Sequence, residues 1–247
     1  MLFRSRKFYF FTHNCKDNTN EVLTELKKKF DIKIFTLSSE SNVLALKCFQ
    51  DSYDNFGNEV DWMAYIDGDE FLFPTHADSL EKPLNEFLSQ KISALGVYWA
   101  CFGSNGYIEE PTGLIIENYK RRPRLNYTNN RHIKSIVRGG QGKSVKVSGT
   151  HTFTTPFGTY DEKLRPVTNG WTDYEPTYEK FRINHYVCQS RSFYLNWKKE
   201  SGYIDSGAID RFSVRGEDWW KEHDRNDVFD HSMDKYIKPL KKILDAI

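Results

Sequence analysis

Cysteine is scarce and scattered: Cys15, Cys48, Cys101 and Cys188 are spread over 247 residues and show no metal-type spacing. That excludes a disulfide framework and a zinc site as organising features, and suits a protein of a reducing compartment. An excess of one charge is lacking too. Thirty-five Lys and Arg stand against 34 Asp and Glu, which argues against a dedicated nucleic-acid binder with its usual basic surplus. Long apolar runs are missing at the start of the chain. MLFRSRKFYFFTHN joins basic residues to an apolar stretch too short to span a bilayer, with no small-residue cleavage site after it. It reads as a strand in a cytosolic protein. Repeats, low-complexity tracts and linkers are also absent, so residues 1–247 are expected to form one domain, burying roughly 70–75% of their unfolded surface.

What is plentiful is aromatic: six Trp, 14 Tyr and 18 Phe. Most of these rings serve a core, but flat apolar faces also stack on sugars and bases. Phe8–Thr12 reads as a strand. Asn18 with Glu21 has the form of a capping box, opening a helix with Val22, Leu23, Leu26 and Phe30 on one face. Lys33–Leu37 alternates as a second strand. Leu46, Phe49, Tyr53 and Phe56 mark a second helix, and Trp62–Ile66 a third strand. Strand–helix–strand–helix–strand of this length predicts an α/β domain with a parallel sheet. Further along, a helix is expected at Lys82–Ser89, and strands at Ala94–Phe102, Leu114–Tyr119 and Ser144–Phe153. Residues 154–178 lack periodicity and read as an ordered loop or lid. Helices are expected at Phe193–Lys199 and within 234–247.

The third strand runs into Asp67-Gly68-Asp69-Glu70, three carboxylates in four positions. Uncompensated charge at a buried strand end is costly. In open α/β sheets, however, ligands sit outside the carboxyl ends of strands. If the chain stays extended there, Asp67 and Asp69 share a face, and two oxygen ligands suit a hard cation such as Mg²⁺ or Mn²⁺. Such an ion bridges nucleotide phosphates and neutralises a departing diphosphate. A solvated turn is the competing reading. Two rival motifs fail. An EF-hand would need an acid at Met63 and Glu at Pro74, and an aspartyl-phosphatase pattern would need Thr at Phe71.

WMAYIDGDEFLFP resembles the Asp-x-Asp-Glu-Phe segment of glycosyltransferase family 92 and related family 2-like enzymes. Trp99–Gly106 resembles their Trp-x-x-Phe-Gly-Ser-x-Gly stretch, Lys134–Arg138 their Lys-Ser-Ile-Val element, and His151-Thr152-Phe153 the His-x-Phe that follows. Ile183–Tyr186, then Ser190 and the Phe193–Gly202 segment, complete six matches in family order. The resemblance implies a GT-A (nucleotide-diphospho-sugar transferase) fold, a mostly parallel mixed sheet flanked by helices and short at its N-terminus. It implies an inverting, hexosyl-type transfer from a nucleotide-sugar donor to a glycan or lipid-linked acceptor.

By the same resemblance, Asp67 and Asp69 would hold Mn²⁺ or Mg²⁺ and the donor, with His185 as a third metal contact and His151 as its rival. Lys134 and Arg138 would meet phosphate. His13, standing where the family has Asp, would lie towards the donor. Trp99, Phe102, Gly103 and Ser104 would form an acceptor-side wall. Core packing of Trp99, hydrogen-bonded core histidines and solvated lysine and arginine are the plainer alternatives. The general base stays unassigned among Glu70, Glu110 and Asp173, and Glu70 alternatively holds the loop in place. A non-catalytic carbohydrate- or nucleotide-binding module is the alternative to an enzyme. Residues 234–247 carry an amphipathic helix with Lys235, Lys238, Lys241 and Lys242 off its apolar face. It is expected to pack on the domain, with peripheral contact to the inner face of a membrane as a second use, and Pro239 is expected to kink or divide it.

Overall fold

The aromatic opening of the chain does form a strand. In the computed structural model, which describes residues 7–13, 15–37, 44–199 and 215–246, β1 (Phe8–His13) is followed by α1 (Thr19–Lys27), β2 (Ile32–Leu37), α2 (Leu44–Phe56) and β3 (Trp62–Ala64). Asn18 takes the N-cap of α1 but makes no side-chain cap bond, so the capping box does not form. Asp17 Oδ1 accepts from the Thr19 amide at 3.1 Å instead. The periodic face of α2 meets β3: Phe49, Tyr53 and Phe56 pack with Met63, Tyr65 and Val137, and Tyr9 of β1 stacks on Phe56 at 4.4 Å.

β4 (Glu70–Pro74), α3 (Glu81–Asn85), β5 (Ala94–Cys101), α4 (Ile115–Asn118) and β6 (Arg121–Arg122) come next. Then follow β7 (Ile133–Arg138), β8 (Lys146–Val147), β9 (Phe153–Thr154), β10 (Thr159–Tyr160), β11 (Pro166–Val167) and β12 (Phe181–His185). The chain continues with α5 (Arg191–Phe193), which runs into a π-helical turn at Tyr194–Lys198. It ends with α6 (Glu217–His223), β13 (Val228–Phe229) and α7 (Asp234–Leu244). The end of the Phe193–Gly202 segment lies outside the described residues.

β5 is the centre of a seven-stranded mixed sheet. Its first half pairs with β7 and β10, its last three residues with β12, and β4 lies beyond β12. The expected mostly parallel sheet is not what forms. Only β10–β5 and β12–β5 run parallel, whereas β3–β7, β5–β7, β4–β12 and β10–β11 are antiparallel. β1 and β2 pair in parallel as a separate two-stranded sheet among the described residues. The α/β succession at the start of the chain did not reveal that strands from much later, β7 and β12, insert between the early ones.

Three local expectations change for physical reasons. Leu114–Tyr119 is a helical turn, not a strand, because Ile116 and Tyr119, three apart, both bury in one cluster with Tyr186 and Tyr236. A strand would send them to opposite faces. Ser144–Phe153 keeps only the β8–β9 pair, with the Ser148 amide closing a turn onto the Thr152 carbonyl. Residues 154–178 are partly core: Thr159 pairs with Ala94, and buried Asp161 accepts from Tyr98 Oη at 3.1 Å.

α7 stays one helix with Pro239 inside it. Tyr236, Ile237 and Leu240 pack against Phe73 and Ile116, so its apolar face is used within the domain. Among the described residues no helix is long and apolar enough to cross a membrane. The same end of the molecule is tied by Asp230, buried between Arg122 and Arg182, whose Nη2 donates to it at 2.8 Å. Burial opposes ionisation of Asp230, but Arg182, Ser232 and Arg122 outweigh it and hold the carboxyl well below the usual range. Asp230→Asn is expected to cost about 3–5 kcal/mol at neutral pH, the scale for stripping one partner from a buried ion pair. Because the folded carboxyl titrates below its unfolded value of 3.8, wild type should keep that advantage above about pH 4 and lose it as acid is added. Urea melts of both forms from pH 7 down to acid measure the narrowing gap.

Candidate functional site

The carboxylate cluster sits where the chain leaves β3 and enters β4. β3 ends at Ala64, so Asp67-Gly68-Asp69 is a turn and not extended strand, closed by the Glu70 amide donating to the Asp67 carbonyl at 3.1 Å. The expectation that an extended chain aligns the two aspartates therefore fails; the turn presents them. Glu70, the first residue of β4 and 4% exposed, ties the turn from inside, its Oε2 accepting the Asp67 amide at 2.9 Å. A Cβ on Gly68 would meet nothing within 4 Å, so the turn is open above Gly68.

Each aspartate faces a lysine. Lys134 of β7, 1% exposed, donates to Asp67 Oδ2 at 2.9 Å and to the Thr150 carbonyl at 3.1 Å, with Glu70 Oε2 at 3.7 Å. Lys198, closing the π-helical turn, donates to Asp69 Oδ2 at 2.7 Å. Burial pushes Glu70 up, with Lys134 opposing and Asp67 and Asp69 adding to the rise. Burial also works against ionisation of Asp69, yet His185 and Lys198 outweigh it and hold that carboxyl well below the usual range. His185 is itself pushed down by burial, with Asp69 opposing, and the Lys198 ammonium also faces Asp69.

An aromatic wall adjoins this turn. His185 ends β12 opposite Glu70, its Nε2 3.6 Å from Asp69 Oδ2. Its ring lies 4.2 Å from Trp99, which also meets His132 and His151 at 5.0 Å each. His151 Nδ1 is 2.7 Å from the Ile133 carbonyl. Three buried polar atoms here, Glu70 Oε1, Trp99 Nε1 and His185 Nδ1, have no hydrogen-bond partner among the described residues. Such atoms are costly and uncommon, and each asks for an explanation.

Asp67, Asp69, Glu70, Lys134, His185, Trp99 and His151 are thus gathered at one end of the sheet. Other residues singled out from the sequence are not. Arg138 shares β7 with Lys134 but lies at its far end, opposite Trp62, bonding to the Leu88 and Gln90 carbonyls. His13 ends β1 on the separate small sheet. Phe102 is core, packed on Tyr186 at 4.7 Å. The Ser104 amide donates to Asp224 Oδ1 at 2.7 Å, and a Cβ on Gly103 would lie 2.5 Å from the Arg225 carbonyl. Phe102–Ser104 therefore serves packing against residues 224–226. Gly103→Ala is expected to lower the melting temperature by several degrees, about 1–3 kcal/mol of overpacking, measurable by calorimetry. Glu110 and Asp173 are exposed, the Asp173 carbonyl accepting from Arg131 at 3.2 Å. Lys198 and His132 were missed. Lys198 meets Asp69 across 129 residues of chain, which no local pattern encodes.

No group of three His, Cys, Asp or Glu placed to hold a metal stands among the described residues, and His185 Nε2 lies 3.6 Å from Asp69 Oδ2. The two aspartates alone fit a hard divalent cation. Both lysine contacts use Oδ2, leaving each Oδ1 without a partner among the described residues. Mg²⁺-type ions are commonly held by one or two carboxylates, with substrate phosphates and water completing the shell.

Comparison with known families matches the glycosyltransferase family 92 model to residues 3–214. A search of curated proteins finds no match.

Proposed function

The chain belongs to glycosyltransferase family 92 and is a glycosyltransferase, and on that premise we propose that it moves a hexose from a nucleotide-sugar donor to a hydroxyl of a glycan or lipid-linked acceptor, with inversion, on a GT-A fold. The observation that carries this reading is the turn itself: an ionised Asp69 and a half-exposed Asp67, each countered by its own lysine, at the edge of an aromatic wall. Asp67 and Asp69 would hold Mn²⁺ or Mg²⁺ against the donor diphosphate. When bound, such an ion neutralises charge building on the leaving group. Lys134 keeps Asp67 in place. Trp99, packed among His132, His151 and His185, would form part of the wall that a sugar meets. Glu70, whose side chain is closed off from solvent, acts by tying the turn. The acceptor hydroxyl attacks the anomeric carbon opposite the diphosphate, giving up its proton to a general base, and the diphosphate oxygen takes the bonding pair as it leaves. Any contact of a cytoplasmic protein with an acidic membrane through α7 would be mainly electrostatic, by lysines, since Tyr236, Ile237 and Leu240 of its apolar face are already packed.

A panel of nucleotide sugars with Mn²⁺, read by release of nucleoside diphosphate and by the anomeric configuration of the product, tests the proposal. One donor should be turned over with inverted configuration. A retained configuration would remove the inverting mechanism, and no release from any donor would remove the donor class.

A further inference from the structure

The two lysines at the turn are held in different ways. Lys134 is 1% exposed and fixed by Asp67, the Thr150 carbonyl and Glu70, so it cannot leave without breaking the core. Lys198 meets Asp69 at 2.7 Å with 19% of its side chain exposed. Its backbone is anchored: Arg215 Nη1 donates to the Lys198 carbonyl at 2.6 Å, and the Arg215 amide to the Lys199 carbonyl at 3.2 Å. Tyr194 Oη bonds to the Gly216 carbonyl at 2.8 Å, closing the π-helical turn onto the start of α6. Single π-helical turns recur at functional sites. The result is a fixed Cα carrying a flexible four-carbon stem and a strongly hydrated point charge.

Charge counting then sets a condition. With both lysines in place the two aspartates are neutralised, so a divalent cation approaching Asp69 gains little from it while the ammonium stays. Once displaced, that ammonium still hangs beside Asp69, within reach of any phosphate the cation brings.

We propose that Lys198 is an exchangeable counter-ion, paired with Asp69 at first and passing to the donor diphosphate when cation and nucleotide bind. The proposal rests on the cation-diphosphate reading of the turn given above. It assigns opposite effects to one side chain: Lys198 competes with a bare cation and cooperates with a nucleoside diphosphate.

Those opposite signs are the test. Full-length wild type, Lys198→Met and Lys198→Arg would be titrated with Mn²⁺ alone by electron paramagnetic resonance. UDP, GDP and inorganic pyrophosphate would then be titrated by calorimetry, with and without Mn²⁺, and melting curves would confirm that each variant is folded. Lys198→Met should bind Mn²⁺ alone more tightly than wild type. It should bind the diphosphates about tenfold or more weakly, the scale of one lost charge-assisted hydrogen bond, and Lys198→Arg should restore much of that binding. If wild type binds both Mn²⁺ and a diphosphate but Lys198→Met shifts both affinities in the same direction, or neither, the exchange is overturned while the clamp survives. If Mn²⁺ binds no form but Lys198→Met still weakens diphosphate binding, the lysine's passage to phosphate is supported and the cation reading falls.

Discussion

Asp69→Asn is expected to lower sugar transfer about 10³-fold or more, equivalent to about 4 kcal/mol of transition-state stabilisation. Asp69 is the one carboxylate at the turn that is both strongly ionised and in contact with His185 and Lys198. Asn keeps the shape and removes the charge. The backbone around it is independently secured, since the Asp69 carbonyl accepts the Tyr186 amide at 2.9 Å and Tyr186 is buried in the core. The variant should therefore fold, at a lower melting temperature because an ionised carboxylate paired with Lys198 is lost, and fail at chemistry. The initial rate of nucleoside diphosphate release from the preferred donor is the measurement. A loss below tenfold would place the reacting centre elsewhere.

Lys134→Met should do the reverse, striking the fold first. It removes the only buried cation between Asp67 and Glu70 among the described residues and the hydrogen bond that Lys134 gives the Thr150 carbonyl. Asp67 is half-exposed, so the loss is that of charge-assisted hydrogen bonds, about 1.5–3 kcal/mol. For a chain of this size that is a melting temperature lower by roughly 3–12 °C. Glu70→Gln alone should be milder, because burial already pushes the Glu70 carboxyl up and favours its protonated form. Because Glu70 already favours its protonated form, combining the two should change the loss little, and a double-mutant cycle in urea would measure that small coupling. Equal melting temperatures for Lys134→Met and wild type would show that Lys134 does not hold the turn.

How far the sequence led can be judged residue by residue. β1 and β5 were readable as short aromatic and apolar runs and α2 by its period of 3.6, all of them local signals. The sheet was not, because its pairing depends on β7 and β12 arriving from far along the chain and running antiparallel to β3 and β4. The same limit governs the site. Lys134 and Arg138 stand in one motif on one strand face, but four residues of strand are about 13 Å, so one reaches Asp67 while the other reaches the Leu88 carbonyl. The Phe102-Gly103-Ser104 stretch pointed to a wall and proved to be a packing joint, where a glycine is needed because a backbone carbonyl stands in the place of its Cβ. Family membership, covering residues 3–214, agrees with the resemblance read from the motifs. What motifs could not convey was which charges neutralise which.

The most direct test is the melting temperature of the wild-type chain with UDP or GDP, in Mn²⁺ and again in EDTA. A nucleoside diphosphate present at about 100 times its dissociation constant should add about 2.7 kcal/mol of stability, a rise of roughly 5–10 °C. That rise should appear in Mn²⁺, disappear in EDTA and be absent in Asp69→Asn. No rise with any nucleoside diphosphate in Mn²⁺ would contradict the reading of Asp67 and Asp69 as a cation-diphosphate clamp.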